Sequence, residues 1–488
     1  MNCLPRLPII KMEREPFGLL MHGGKAVREV TLLTDIIDNS PHLYPEYDLL
    51  FFEERTFTNI DVHREVCRLG NALVSLGLEP GEVVMACMEN CPEVVHLQCA
   101  CAKTGIIFCP VLFLLSAEEI SWIAEHSEAE YLVTTPSLLP KVRLACPGLF
   151  ERKRVILTGV ESEPGTIGLG ELCEGQPYEL DTNPDLSDDD LAVLLYTAGT
   201  TGRPKGVLLT HGNIGSNILS ISATNQIGRD EVALSPLPLS HSYGLVMSLI
   251  PAVCGNRSIL LRWFDAEKIF EYTERFHIRS MPGVPAMFIQ LLNYPKAPQY
   301  NVRSWKRLQS GAAPLSEEVL RAFRDKFGVY LYEGYGLTEA SPVVSCQRPQ
   351  LPLKYGSVGP TIDGVKVQIR DDFERELPPG SPGEIAVYGP NVMKGYLKDP
   401  EETERALRGR WLHTGDIGYL DEDGYLFIVE RKKDLIITGG FNLYPSEVEK
   451  VLERHEAVVE AAAVGEPDPI RGEVVHAFVV LRMGSDTS

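Results

Sequence analysis

From about residue 50, short apolar runs rich in β-branched side chains alternate with amphipathic stretches, the pattern of a parallel sheet covered by helices. Residues 83–88 read as a strand. Pro92 suits the first turn of a helix running to about Lys103, and residues 106–112 read as the next strand. Ser116 with Glu119 three positions on forms a capping box ahead of Ile120, Trp122 and Ile123, so a second helix is expected there. Strands at 131–135 and 154–158 complete a doubly wound α/β unit. Past the acidic turn at 188–190, residues 191–196 form another strand that runs straight into a Gly/Thr-rich loop. Beyond Pro342 the pattern changes to short strands between Gly and Pro turns, at 365–370, 383–388 and 425–429, which predicts a small β-barrel-like unit. A charged bridge at 431–434 then leads into a last mixed α/β segment, and a hinge is expected at that bridge.

Length changes this picture only by requiring division: 488 residues exceed what one core supports, and the expected domains are 1–432 and 433–488. A composition of 44% hydrophobic and 23% charged residues is that of an ordinary globular protein. The formal charge of -21 argues against nucleic acid or an anionic membrane as a partner. Any anionic ligand must be held by local groups, because charges beyond a Debye length of about 8 Å are largely screened. Five cysteines, Cys87, Cys91, Cys99, Cys101 and Cys109, crowd one apolar stretch without CxxC or histidine spacing, and read as buried small hydrophobes of a reduced cytoplasmic protein. Residues 1–14 mix Arg6, Lys11, Glu13 and Arg14 into their apolar positions, unlike a signal peptide, and no run of 18 apolar residues occurs.

The most informative stretch is Thr197, Ala198, Gly199, Thr200, Thr201, Gly202, Arg203, Pro204, Lys205, Gly206, placed directly after a buried strand. Glycines let successive backbone N–H groups converge on a phosphate, while hydroxyls and a lysine add charge-assisted contacts. It is not a Walker loop, since Gly206 rather than Ser or Thr follows the lysine. The loop resembles the phosphate loop of the acyl-adenylate-forming superfamily of acyl-CoA synthetases, firefly luciferase and adenylation domains. Motif order is similar from about Thr58 to Val480. Ala198 stands where that family usually has serine, which predicts weakened phosphate contact.

Two further segments resemble the family in the expected order: Ser310, Gly311, Ala312, Ala313, Pro314, and Glu333, Gly334, Tyr335, Gly336, Leu337, Thr338, Glu339. The resemblance implies that the small-residue turn lies flat on adenine with Tyr335 stacked on its other face, and that Glu333 accepts from the adenine amino group. It implies that Thr338 donates to the α-phosphate and that Glu339 is the carboxylate for Mg²⁺. Trp411 to Asp416 is similar to the family's ribose site, with Asp416 and Arg431 on the sugar, Lys433 as hinge residue, and Gly439 and Gly440 lining a thiol tunnel.

The fold so implied is α/β, with two doubly wound subdomains and a small β-barrel-like one, hinged to a small C-terminal domain. The implied activity is an ATP-, Mg²⁺- and CoA-dependent ligase that forms an acyl-AMP and then a thioester. Loading of a carrier protein, or a catalytically silent nucleotide-binding module, stays open as an alternative. His241 matches the family's pocket-side histidine. Acetate-specific relatives have tryptophan where this chain has Gly336, and no acidic residue near His241 is available to pair an amino-acid ammonium, so a medium-chain, alicyclic or aryl acid is expected. Family members also carry a lysine in a Pro-Lys-Thr-x-x-Gly-Lys segment that this sequence, ending at Ser488, lacks. A shortened C-terminal domain and a slowed first half-reaction are the corresponding expectations.

Overall fold

The computed structural model describes residues 20–22, 25–27 and 32–482, apart from 160–161, 182–183, 198–202, 230, 432–435, 439–440 and 469–471. Two eight-stranded sheets dominate it. In the first, the strands Leu191–Thr197, Ile107–Val111, Val83–Cys87, Tyr131–Thr134, Val155–Leu157 and Thr166–Gly168 lie side by side in parallel. Lys205–Thr210 and Gly395–Tyr396 close one edge antiparallel. In the second, Leu331–Gly336, Arg307–Ser310, Ser280–Gly283, Val232–Ser235, Arg257–Leu260 and Asp48–Phe52 are parallel, with an antiparallel strand at each edge.

Side-chain alternation explains why both sheets are covered on two sides. Along Val83–Cys87, Val84 and Ala86 enter a central core, whereas Val83, Met85 and Cys87 enter an outer one beneath the helices Ala117–His126 and Leu139–Ala145. Phe51 likewise faces the outer core of the second sheet while Leu50 and Phe52 face the centre. A helix between the sheets is buried all round: in Pro92–Thr104 every residue but Glu93 is buried, His96, Gln98 and Lys103 included. Cys99 and Cys101 sit there as free, buried thiols, each small enough for close packing. The predicted capping box starts Ala117–His126, with Ser116 Oγ accepting from Glu119 N at 3.2 Å.

The third unit is an antiparallel five-stranded sheet that includes Lys366–Arg370, Gly383–Tyr388, Trp411–Leu420 and Leu426–Arg431. A four-stranded antiparallel sheet with the helix Pro445–Glu453 forms the C-terminal part. Among the described residues no helix is long and apolar enough to cross a membrane.

Candidate active site

Parallel strands of an α/β sheet direct their carboxyl ends toward one rim, and loops leaving that rim carry the groups for a ligand. Here the segments leaving Val232–Ser235, Arg307–Ser310 and Leu331–Gly336 contribute His241, Gly311 with Ala312, and Thr338 with Glu339 to one cavity of about 700 Å³. The first sheet adds Thr197, at the end of its strand, and Lys205, its register partner across the hairpin. From the antiparallel sheet come Asp416 and Arg431. Between the pairs Glu384↔Ile417 and Ala386↔His413 the strand Trp411–Leu420 carries extra residues, a bulge that brings Thr414, Gly415 and Asp416 to the cavity wall. Gly415 has φ 72°, which suits a residue without Cβ.

The polar groups are held by one another. Tyr335 donates its hydroxyl to Asp416 Oδ2 at 2.5 Å, and Arg431 Nε stands 3.5 Å from Asp416 Oδ1. Burial, then the Asp416 charge, raises the Tyr335 hydroxyl well above its usual range, so it remains a donor. Glu339 Oε1 accepts from the Tyr396 hydroxyl at 2.9 Å, and Thr338 and Ser242 share a hydroxyl contact at 3.2 Å. Lys205 Nζ pairs with Glu402 Oε1 at 2.7 Å. His241 caps the helix Ser242–Cys254, its Nδ1 accepting from Tyr243 N at 3.2 Å. Surrounding protein lowers its pKa by desolvation although its surface opens to the cavity. The neutral ring thus carries its proton on Nε2.

Of the residues expected from sequence, Thr197, Lys205, His241, Gly311, Ala312, Gly334, Tyr335, Gly336, Thr338, Glu339, Asp416 and Arg431 line this cavity. Ala312 adopts φ 68°, a left-handed conformation in the turn against the wall. Ala313 is exposed and does not line it. Ala198, Gly199, Thr200, Thr201, Gly202, Lys433, Gly439 and Gly440 lie outside the described residues. His413, within the segment expected at the ribose, also lines the cavity, as do Tyr396 and Glu402, which sequence reasoning missed. Their signal is spatial: Tyr396 reaches Glu339 across 57 positions of chain. A single bound Mg²⁺ fits the donor set, because this ion is held by one or two carboxylates with phosphate and water, and Glu339 offers Oε2 beside the Tyr396-bound Oε1.

Glu333 is buried beside the cavity rather than among its lining residues. Leu315 N donates to its Oε1 at 3.3 Å, while Oε2 has no partner. Burial raises this carboxyl to about 7. Between its ordinary range and that value the folded protein keeps a proton that the unfolded chain has released, so stability falls as pH rises through this window and levels off above it. Glu333→Gln removes the penalty. The variant is expected to be more stable than the parent at pH 8, by on the order of 3 kcal/mol at most, with the gain vanishing near pH 4.5. Thermal melts across that range measure it, and a pH-independent difference would contradict the burial argument.

The profile of the family described as AMP-binding enzyme matches residues 37–397, and that of the AMP-binding enzyme C-terminal domain matches 447–488. The chain is 35% identical over 432 residues to a feruloyl-CoA synthase of Amycolatopsis sp, covering 88% of this chain and 84% of that protein. It is 34% identical over 484 residues to a long-chain-fatty-acid–CoA ligase of Bacillus subtilis (strain 168), covering 93% and 86%. The solved structure of o-succinylbenzoate coenzyme A synthetase (MenE) from Bacillus subtilis, in complex with ATP and magnesium ion, superposes with a TM-score of 0.79 at 29% identity, covering 92% of this chain and 89% of that one. With a family match over well more than half its length, and its loops gathered around one cavity, the chain belongs to the AMP-binding enzyme family.

Proposed function

We propose that the protein is an ATP-dependent acid:CoA ligase acting on a medium-chain, alicyclic or aryl carboxylate. One observation carries this reading: a single cavity is lined both by the polar groups Lys205, Thr338, Glu339, Tyr335 and Asp416 and by the apolar side chains Ile221, Met247 and Val343. Its volume suits a nucleotide and an acid placed in line. A carboxylate oxygen of the acid bonds to the α-phosphorus as the bond to the β-phosphate oxygen breaks, releasing pyrophosphate. The thiol sulfur of CoA then bonds to the activated carbonyl carbon, AMP leaves, and the thiol proton passes to solvent.

Few groups need to change protonation state, so the rate comes mainly from positioning and from stabilising phosphate charge. Lys205 and Thr338 supply donors toward the phosphates, and His241, neutral with Nε2–H, supplies one toward the acid's carboxylate. Asp416 and Arg431 hold the ribose, Tyr335 with Gly311 and Ala312 holds the adenine, and Glu339 holds Mg²⁺. That ion, when bound, neutralises phosphate charge. The relatives named for ferulate, long-chain fatty acid and o-succinylbenzoate support an acid larger than acetate. A domain boundary at 432/433 agrees with the two family matches, which end at 397 and resume at 447. Buried free thiols suit a cytoplasmic setting.

The reading predicts pyrophosphate release that requires ATP, Mg²⁺ and an acid, followed by CoA-dependent thioester formation. An acid panel monitored for both products tests it. Fastest turnover with acetate or an amino acid would refute the substrate class, and absence of any acid-dependent pyrophosphate would refute the ligase.

A further inference from the structure

The hairpin that carries Thr197 and Lys205 is held from behind, by side chains on the outer face of the first sheet. Alternation along Leu191–Thr197 turns Leu194 and Tyr196 to the outer core and Thr197, next along, to the cavity. Opposite Tyr196 and Thr197 in register stand Gly206 and Lys205. A Cβ on Gly206 would lie 3.3 Å from Tyr196 Cζ, so the tyrosine ring leans across the bare glycine.

The helix Ala117–His126 covers this outer face, and its last turn meets three separate segments. The Tyr196 hydroxyl is hydrogen-bonded to His126 Nδ1 at 2.8 Å, with the two rings edge to face at 5.8 Å. Trp122, one turn earlier, stacks on His126 with centroids 4.9 Å apart and planes inclined by 27°. Arg203 brings its guanidinium to 4.6 Å from the centre of the Trp122 ring. Lys398 donates to the His126 carbonyl at 2.9 Å and to Glu128 Oε1 at 2.6 Å, and the strand just before it, Gly395–Tyr396, pairs with Lys205–Thr210. A chain of contacts, Arg203 to Trp122 to His126 to Tyr196, thus joins the two arms of the hairpin outside the cavity. Tyr196 adjoins Thr197, and Arg203 is two residues from Lys205. None of these four lines the cavity, whereas Thr197 and Lys205 do.

We propose that Trp122 and His126 are positioning residues for the phosphate end of the site, fixing both arms of the hairpin and thereby where Thr197 and Lys205 meet the nucleotide. This rests on the ligase reading above, which supplies ATP as that nucleotide. Glycine-rich chain costs more conformational entropy to order than other chain, so anchoring its two ends beforehand reduces the ordering left for binding. Apolar side chains could fill the same volume under the sheet. Only a polar atom at the Nδ1 position bonds the Tyr196 hydroxyl, and only an aromatic face attracts the Arg203 cation.

Calorimetric titration of the intact protein with ATP and Mg²⁺, alongside KM for the acid, tests the proposal. Tyr196→Phe removes one oxygen, and His126→Phe keeps a ring against Trp122 while removing Nδ1. Each is expected to raise the Kd for ATP about fivefold, and the double variant by no more than either, because all three lose the same bond. Trp122→Leu is expected to raise it about threefold by way of Arg203. KM for the acid should stay within about twofold of the parent throughout, a split that a general loss of packing would not produce. Unchanged ATP affinity in these variants overturns the proposal, as do equal losses for ATP and acid. Tyr196→Phe, the mildest change, decides the matter should another variant not fold. If ATP binding follows the expected pattern while no acid releases pyrophosphate, the ligase reading falls and the positioning role stands. If the parent does not bind ATP, both fall.

Discussion

Glu339→Gln is expected to slow acid-dependent pyrophosphate release on the order of 10²–10³-fold while leaving Tm within a few degrees of the parent. Glu339 sits on the single 3₁₀ turn Thr338–Ala340 that follows the strand Leu331–Gly336, and its Oε1 accepts from the Tyr396 hydroxyl at 2.9 Å. A glutamine carbonyl keeps that bond, so position is retained and only the negative charge is lost. The role proposed for this carboxylate is to hold Mg²⁺, and an amide is a far weaker ligand for a hard cation. The apparent Mg²⁺ requirement should rise along with the loss of rate. Tyr396→Phe, which keeps the charge and removes its anchor, should cost about tenfold. Rates within threefold of the parent at every Mg²⁺ concentration would reduce Glu339 to a packing residue. The pair of variants separates charge from placement, which a deletion to alanine does not.

The sheet legible in the sequence was the first one, because its strands, such as Val83–Cys87 and Ile107–Val111, are buried on both faces and read as continuous apolar runs. The second sheet is as regular but far less visible. Its strand Asp48–Phe52 pairs with Arg257–Leu260 across some two hundred positions, and Ser280–Gly283 contains proline and glycine that local propensity assigns to turns. Motif residues at strand ends were legible because small residues and hydroxyls in a loop after a strand have a physical purpose. What could not be read is who holds them. Nothing near Tyr335 names Asp416 as its acceptor, nor does anything near Lys205 name Glu402. Glu333 was expected to face adenine from its place in the motif, yet burial and its bond from Leu315 N set it beside the cavity wall.

Gly336→Ala is expected to lower Tm by several degrees and activity by tenfold or more, an outcome that separates two accounts of the acid pocket. On the sequence alone, glycine here means a missing side chain and hence an open floor. In the structure a Cβ at 336 would lie 2.2 Å from the Pro342 carbonyl oxygen, 2.9 Å from its carbon and 3.1 Å from Val343 Cα, all of them backbone. That backbone cannot easily yield. The Pro342 carbonyl accepts from Leu337 N at 3.0 Å, and Asn217 brackets Val343 with Nδ2 to its oxygen at 2.8 Å and Oδ1 to its nitrogen at 3.2 Å. One methyl group must therefore break part of this frame, at a cost of about 1–3 kcal/mol typical of overpacking. The shift would pass directly to Thr338, two residues on, whose hydroxyl meets Ser242. The room available to the acid is accordingly set by where the 342–343 backbone runs, and glycine is required for that approach as much as for the space. Wild-type melting and kcat in Gly336→Ala would mean that the 342–343 segment moves freely, and the simpler account, an open floor with room to spare, would then stand.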